Sequence, residues 1–255
     1  MNINTNNNTD TESKIYIKDK PAGITSKDYA DIIKKENNLK KICFCGRLDP
    51  MARGQMLFLG DELCKKMDNY RSSQKIYQFE ICFGLQTDTD DPLGIIENYK
   101  TKFDIDIITK QLLTLLKSYN CEFEQNFHKY SSILINGTPY WLHTKENNSV
   151  VEKPKHTVTI KQLDILEKKE TNFEEFVNHI IYTIKNINIK HDFRQDKIIQ
   201  QWEEMIPLFD KKMISLKLEL HVTSGFYVRQ FIRDLANQIN FPFMVFDINR
   251  TNISL

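Results

Sequence analysis

The clearest hydrophobic rhythm in the chain lies in KIYQFEICFGL, Lys75 to Leu85, where Tyr77, Phe79, Ile81 and Phe83 recur at every second position. A period of two puts these side chains on one face of a β-strand and predicts a buried side for it. IYIK, Ile15 to Lys18, alternates in the same way and runs into KPAGITS, where Pro21 and Gly23 make a turn. Ser26 can then cap a helix carrying Tyr29, Ala30, Ile32 and Ile33, which leaves Lys20 at a strand-to-loop junction. A helix is predicted from about Ile107 to Tyr119, and strands near Ser132 to Ile135 and at Ser215 to Val222. The last strand leads through Ser224 and Gly225 into GFYVRQFIRDL, where Val228, Phe231, Ile232 and Leu235 follow helical spacing. Strands and helices mix irregularly, without a repeat of fixed period.

Two stretches break this pattern. MNINTNNNTDTES is rich in Asn and Thr with almost nothing to bury, so residues 1–13 are expected to be a disordered tail. Residues 168–212 are rich in Asn, Lys and Ile, are weakly periodic and lie between convincing strands, so they read as an insertion within a single domain spanning 14–255. Lys185, Lys190, His191, Arg194 and Lys197 make the middle of that segment basic, either a solvated face or a surface for a phosphate backbone.

Composition narrows the partners. At 255 residues, with 40% hydrophobic and 11% aromatic positions, the chain can bury a sizeable core. A net charge of +1 means that a nucleic acid would have to be met by a local basic face. Cys43, Cys45, Cys64, Cys82 and Cys121 are odd in number and form no CxxC pair, which argues for reduced thiols against a disulfide framework or a zinc site. No apolar run approaches the ~20 residues of a membrane span, and the N-terminus lacks a signal core, so an intracellular, cytoplasmic protein without a membrane partner is expected.

The candidate chemistry sits in FCGRLDPMARGQM, Phe44 to Met56. Pro50 pushes Asp49 toward extended geometry, Gly46 and Gly54 permit angles that other residues resist, and Arg47 and Arg53 bring positive charge, so the stretch is either a loop suited to an anionic ligand or an ordinary Asp-Pro turn with solvated arginines. TDTDDPLG supplies Asp88, Asp90 and Asp91 but not the remaining ligands of a calcium loop, and it reads as an acidic turn rather than a metal site. Arg229 falls in the first turn of its helix, where the dipole disfavours a cation, so it is either a surface arginine that pairs with nothing or one held by a nearby carboxylate, for which Asp49 is a candidate.

KPAGITS, CGRLDPMARG, KIYQFEICFGLQTDTDDPLG, KYSSILINGTPYWL and SGFYVRQFIRDL stand in the order found in TruB-type pseudouridine synthases, and the chain resembles that family between about Lys18 and Leu235 outside the 168–212 segment. INRTNIS, near the C-terminus, resembles the short arginine-containing motif that closes the family's catalytic domain. The resemblance implies an α+β pseudouridine synthase fold, a mixed central sheet flanked by helices and loops with a central cleft. It implies that Asp49 is the catalytic aspartate, that Tyr77 contacts the target base and that Arg229 pairs with the aspartate. It places Lys20, Pro21, Arg47 and Tyr227 in motifs that bind substrate. No cofactor and no metal are implied, and the partner is RNA, the tRNA T-loop uridine in the stand-alone branch, met by a monomer.

Three positions depart from the family pattern: Phe44 where a histidine is common, Leu134 where a lysine is common, and Thr144 where an arginine is common. These positions contact RNA in relatives, so affinity is affected more than chemistry. The alternatives are a guide-RNA-type synthase, against which QTDTDDPLG speaks, and a non-catalytic RNA-binding homologue. A C-terminal RNA-binding module is expected to be absent, since the closing motif runs to the end of the sequence.

Overall fold

The structure, a computed structural model, describes residues 14–119, 121–146, 154–188, 190–209 and 212–254; the Asn-rich stretch 1–13 lies outside them. Strand β1 (Ile15–Lys20) leads into helix α1 (Ser26–Glu36), and β2 (Ile42–Phe44) and β3 (Arg53–Gly60) flank the loop carrying Asp49. A short helix α2 (Asp68–Arg71) precedes β4 (Gln74–Phe83), and a hairpin of β5 (Leu85–Thr87) and β6 (Ile96–Tyr99) brackets the acidic turn. Then follow α3 (Ile105–Leu116), β7 (Glu122–Asn126), the small hairpin β8 (Leu134–Ile135) and β9 (Thr138–Pro139), and α4 (Tyr140–Lys145). The chain continues through β10 (Lys155–Asn172), α5 (Phe173–Lys185), α6 (Gln195–Met205), β11 (Lys212–Val222), α7 (Val228–Ile239) and β12 (Phe243–Ser254).

The main sheet runs β1-β3-β12-β4-β11-β10-β7, with β2 added on β3. Its pairings are antiparallel except for β12 on β3, where Asn249 and Arg250 lie opposite Arg53 and Gly54 in parallel. The last strand therefore sits in the middle of the sheet, against the Asp49 loop and against Tyr77. Gly54 is required there: its φ is +106°, and a Cβ would overlap the carbonyl of Arg250.

Two apolar layers follow from the two-residue period of β4. Tyr77, Phe79, Ile81 and Phe83 face a core shared with Ala30 and Ile33 of α1, Leu112 and Leu116 of α3, and Val228, Phe231, Ile232 and Leu235 of α7. Cys82, and Met244 on β12, face a second core built by Phe173, Phe176, Val177, Ile180 and Ile184 of α5 with Ile198 and Trp202 of α6. Residues 168–212 are thus the end of β10, two core-forming helices and the start of β11. Their helical spacing, at 173, 176, 177, 180, 181 and 184, is present in the sequence, but an Asn- and Lys-rich composition masks it.

Two expectations change in detail. The cap of α1 is Thr25, whose side chain accepts from the Asp28 amide, while Ser26 is turned inward. The strand expected at 132–135 shrinks to Leu134–Ile135, the two residues that pair with Pro139 and Thr138 across the turn at Asn136 and Gly137. Cys45 and Cys82 are buried, but Cys121 is exposed.

Candidate active site

Between β2 and β3 the chain is held at several points so that one carboxylate faces outward. The Ser26 hydroxyl donates to the Leu48 carbonyl at 2.6 Å and accepts from the Leu48 amide at 2.9 Å. The Gly23 amide donates to the Pro50 carbonyl at 2.9 Å, and Ala52 closes a turn on the Asp49 carbonyl at 3.1 Å. From β12, Arg250 donates through Nη2 to the Gly46 carbonyl at 3.1 Å and through Nε to the Gln55 carbonyl at 2.6 Å, which pins both ends of the loop. The Gly46 φ of +100° fits it to this bend.

Asp49 meets Arg229 in a two-pronged contact. Nε donates to Oδ2 at 2.8 Å and Nη2 lies 2.7 Å from Oδ1. The aspartate side chain keeps 31% of its surface open, whereas the arginine keeps 7%. The remaining nitrogen, Nη1, donates to the Thr89 carbonyl at 3.0 Å and stands 3.5 Å from Asp91 Oδ2. Burial works against the guanidinium charge, but the carboxylates of Asp49 and Asp91 more than offset it and raise its pKa. Arg229 is thus a buried, fixed cation anchored on the partly open Asp49, and it sits in the first turn of α7 as expected.

Aromatic and polar residues complete the surroundings. Tyr77 lies between Leu220 of β11 and Arg250 of β12 and is buried. Tyr227, just before α7, is half-buried against Phe127 and His156, with ring centres at 5.6 and 5.8 Å. Burial and then the Asp49 charge raise its phenol pKa. Its backbone is held at both groups by Gln125, whose amide nitrogen donates to the Tyr227 carbonyl at 3.0 Å and whose amide oxygen accepts from the Tyr227 N–H at 2.9 Å.

Lys20 differs from the expected substrate contact. It is 1% exposed, its Nζ donates to the carbonyls of Pro21 and Ile24 at 2.8 Å each, and burial brings its pKa down to about 7, with the Asp49 charge opposing and Arg250 adding to the fall. In this structure it shapes the loop next to Asp49 and does not face outward. Pro21 and Arg47 are exposed, the latter with its guanidinium 5.4 Å from the Phe44 ring centre.

The acidic turn is more than a turn. Each of its carboxylates is matched to an arginine: Asp88 to Arg194 at 2.8 and 3.2 Å, Asp90 to Arg233, and Asp91 to Arg229. Asp88 also accepts from Tyr130 Oη at 2.8 Å and from the Ile95 amide at 2.8 Å. Burial pushes Asp90 and Asp91 up to about 6 even though the arginines pull the other way. Among the described residues no group of three or more His, Cys, Asp or Glu is placed to hold a metal ion. Arg194, Arg233, Ser26, Gln125 and Arg250 were not singled out from the sequence as site residues. The one available signal was the density of carboxylates in TDTDD together with arginines at 229 and 233, one helical turn apart.

Of the three departures from the family pattern, Phe44 packs edge-on against Phe58 at 6.3 Å, and Leu134 is exposed on the β8–β9 hairpin. Thr144 donates to the Lys129 carbonyl at 2.8 Å. No described helix is long and apolar enough to cross a membrane.

Residues 34–185 match the model of the TruB family pseudouridylate synthase (N terminal domain). The tRNA pseudouridine synthase B of Mycoplasma capricolum is 32% identical over 168 residues, 66% of this chain and 56% of its own length. That of Mycoplasmoides gallisepticum is 29% identical over 247 residues, 95% of this chain and 92% of its own. The chain thus spans little more than half the length of the first of these relatives and nearly all of the second. Among solved structures, a Cbf5-Nop10-Gar1 complex aligns with a TM-score of 0.52 at 15% identity, covering 94% of this chain and 48% of that one. An H/ACA RNP bound to a substrate RNA containing 2'-deoxyuridine aligns with a TM-score of 0.51 at 15% identity, covering 94% and 47%. At that identity the likeness bears on the fold, a mixed sheet flanked by helices.

Proposed function

The chain belongs to the TruB family of pseudouridylate synthases, and we propose that it isomerises a uridine of tRNA, the one in the T-loop, to pseudouridine with Asp49 as the reacting carboxylate. The observation that carries this reading is the contact between a half-open Asp49 and a buried Arg229. A carboxylate near low-dielectric surroundings tends to take up a proton, and a guanidinium held on both of its oxygens keeps it charged.

The reaction breaks the bond from C1′ to N1, turns the uracil and joins C1′ to C5; the C5 proton leaves and N1 regains one. No electrons are exchanged and only a proton is lost and regained, so the chemistry asks for no cofactor and no metal. An ionised carboxylate can attack C1′ as in retaining glycosidases, attack the base, or remove a sugar proton, and each route uses the same open face of Asp49. Tyr77 offers a ring for the uracil to stack on and a hydroxyl for proton traffic. The target nucleotide must leave its stack to reach the carboxylate, at a cost of a few kcal/mol recovered from backbone and stacking contacts. Pro21, Arg47 and Tyr227 are the side chains we assign to holding it, with Lys20 acting from beneath the loop. All the residues named come from one chain, which fits our reading of a monomer, and a tRNA-modifying role fits our assignment to the cytoplasm.

The test is to incubate purified protein with an unmodified tRNA transcript and map pseudouridine by position. Conversion at the T-loop uridine supports the reading; tRNA bound but unconverted supports a binding homologue instead.

A further inference from the structure

Beside the Asp49–Arg229 pair lies a buried polar unit that the proposed chemistry does not use: Asp90, His128 and Arg233. His128 is fully buried, and its Nδ1 accepts from the Tyr130 amide at 3.3 Å. The ring proton therefore sits on Nε2, which donates to Asp90 Oδ2 at 3.0 Å. Burial, followed by the nearby charge of Arg229, holds the imidazole neutral, with a pKa well below 6.5. The same carboxylate oxygen receives Arg233 Nε, and Arg233 Nη2 donates to the carbonyls of Thr87 and Asp88 at 3.2 Å each.

These contacts grip the peptide on either side of Thr89. The Thr89 carbonyl is the acceptor of Arg229 Nη1, and Asp91, two residues on, presents its carboxylate to the same nitrogen. Asp90 holds a φ of +60°, a left-handed conformation that strains a residue with a Cβ, so its side-chain anchors fix a backbone that would otherwise relax. We propose that His128 and Asp90 are positioning residues for Arg229: they hold the Thr89 carbonyl and the Asp91 carboxylate at the places that set the angle at which the guanidinium grips Asp49. The proposal rests on the functional reading above only for its activity readouts.

A merely structural histidine would alter stability alone; a positioning one alters turnover and its pH dependence. The charged groups facing Asp90 are Arg229 and Arg233 of α7, Lys129 beside His128, and its neighbours Asp88 and Asp91, with Glu97 of β6 standing 3.7 Å from Arg233. Loss of the His128 N–H, which stabilises the carboxylate, makes Asp90 easier to protonate, and a protonated Asp90 no longer pairs with Arg233.

The experiment compares wild-type, His128→Phe and His128→Gln proteins by single-turnover pseudouridine formation, by tRNA binding, and by the NMR signal of the Arg229 Nε–H. His128→Phe is expected to slow turnover roughly ten- to a hundredfold with unchanged tRNA affinity. Its acidic limb moves to higher pH and its Arg229 signal broadens, while His128→Gln, which keeps an N–H donor, recovers most of the rate. Wild-type turnover with an unshifted limb in folded His128→Phe overturns the proposal, as does an equal loss in both variants. Should His128→Phe fail to fold, Asp90→Asn carries the same test, since it keeps the shape and removes the charge: a wild-type rate would overturn the proposal. An inactive wild-type protein refutes the functional reading instead, and the Arg229 signal then decides positioning by itself.

Discussion

Ser26 and Leu48 are joined in both directions, hydroxyl to carbonyl at 2.6 Å and amide to hydroxyl at 2.9 Å, across 22 residues of sequence. This buried clamp ties the start of α1 to the residue immediately before Asp49. Ser26→Ala leaves a buried carbonyl and a buried amide without their partner, a loss of about 1 to 3 kcal/mol. Urea unfolding should show a lower midpoint at unchanged slope, and turnover should fall with the loosened loop. A midpoint equal to wild type would mean that the clamp contributes nothing.

Arg229→Lys should slow the reaction strongly while the protein stays folded. An ammonium is a point charge and cannot reproduce a planar contact to both Asp49 oxygens together with a third bond to the Thr89 carbonyl. Single-turnover kinetics at saturating tRNA would check this, and a rate equal to wild type would remove the pair from the mechanism.

Lys20 sets a pH dependence of stability. Its pKa is about 7 in the fold against 10.5 unfolded, so between these values the unfolded chain binds one more proton than the native one. Stability from this group is therefore lowest below pH 7 and rises as pH increases toward 10.5. Lys75, at about 8 through burial, adds to the same rise from about pH 8 upward. Lys20→Met should remove up to one proton from the slope of stability against pH at pH 8 to 9, measured by denaturant titration at stepped pH. An unchanged slope would show Lys20 charged in the fold.

Much of the site was legible because its parts lie in short motifs: Asp49 wedged before Pro50, Tyr77 on the most regular alternation in the chain, and Arg229 out of place at a helix start. What escaped notice came from distance. Arg250 is 204 residues from the Gly46 it holds, and His128 is 38 from Asp90, so no local pattern could pair them. β3 and the start of β12 escaped for another reason: in RGQMLFLG and FMVF successive residues are buried on both faces and leave no alternation to read. In the 168–212 segment an Asn- and Lys-rich composition hides the helical spacing of Phe173, Phe176, Val177 and Ile180, which builds a core layer.

That layer alters the outlook for its basic residues. Arg194 spends its guanidinium on Asp88 and His191 lies 2.7 Å from Asp28, so both are engaged within the protein. Arg194→Gln should leave the salt dependence of tRNA binding unchanged. A true phosphate contact would instead lower the slope of log affinity against log salt by roughly 0.7 to 0.9, which a titration at several salt concentrations resolves.

Asp49→Asn tests the central claim most directly, because it keeps the shape of the side chain and removes the reacting anion. Wild-type and variant proteins are each incubated with an unmodified tRNA transcript, and pseudouridine at the T-loop position is followed over time beside tRNA binding. The account predicts conversion by wild type, none by Asp49→Asn, and similar binding by both; substantial conversion by the variant would contradict it.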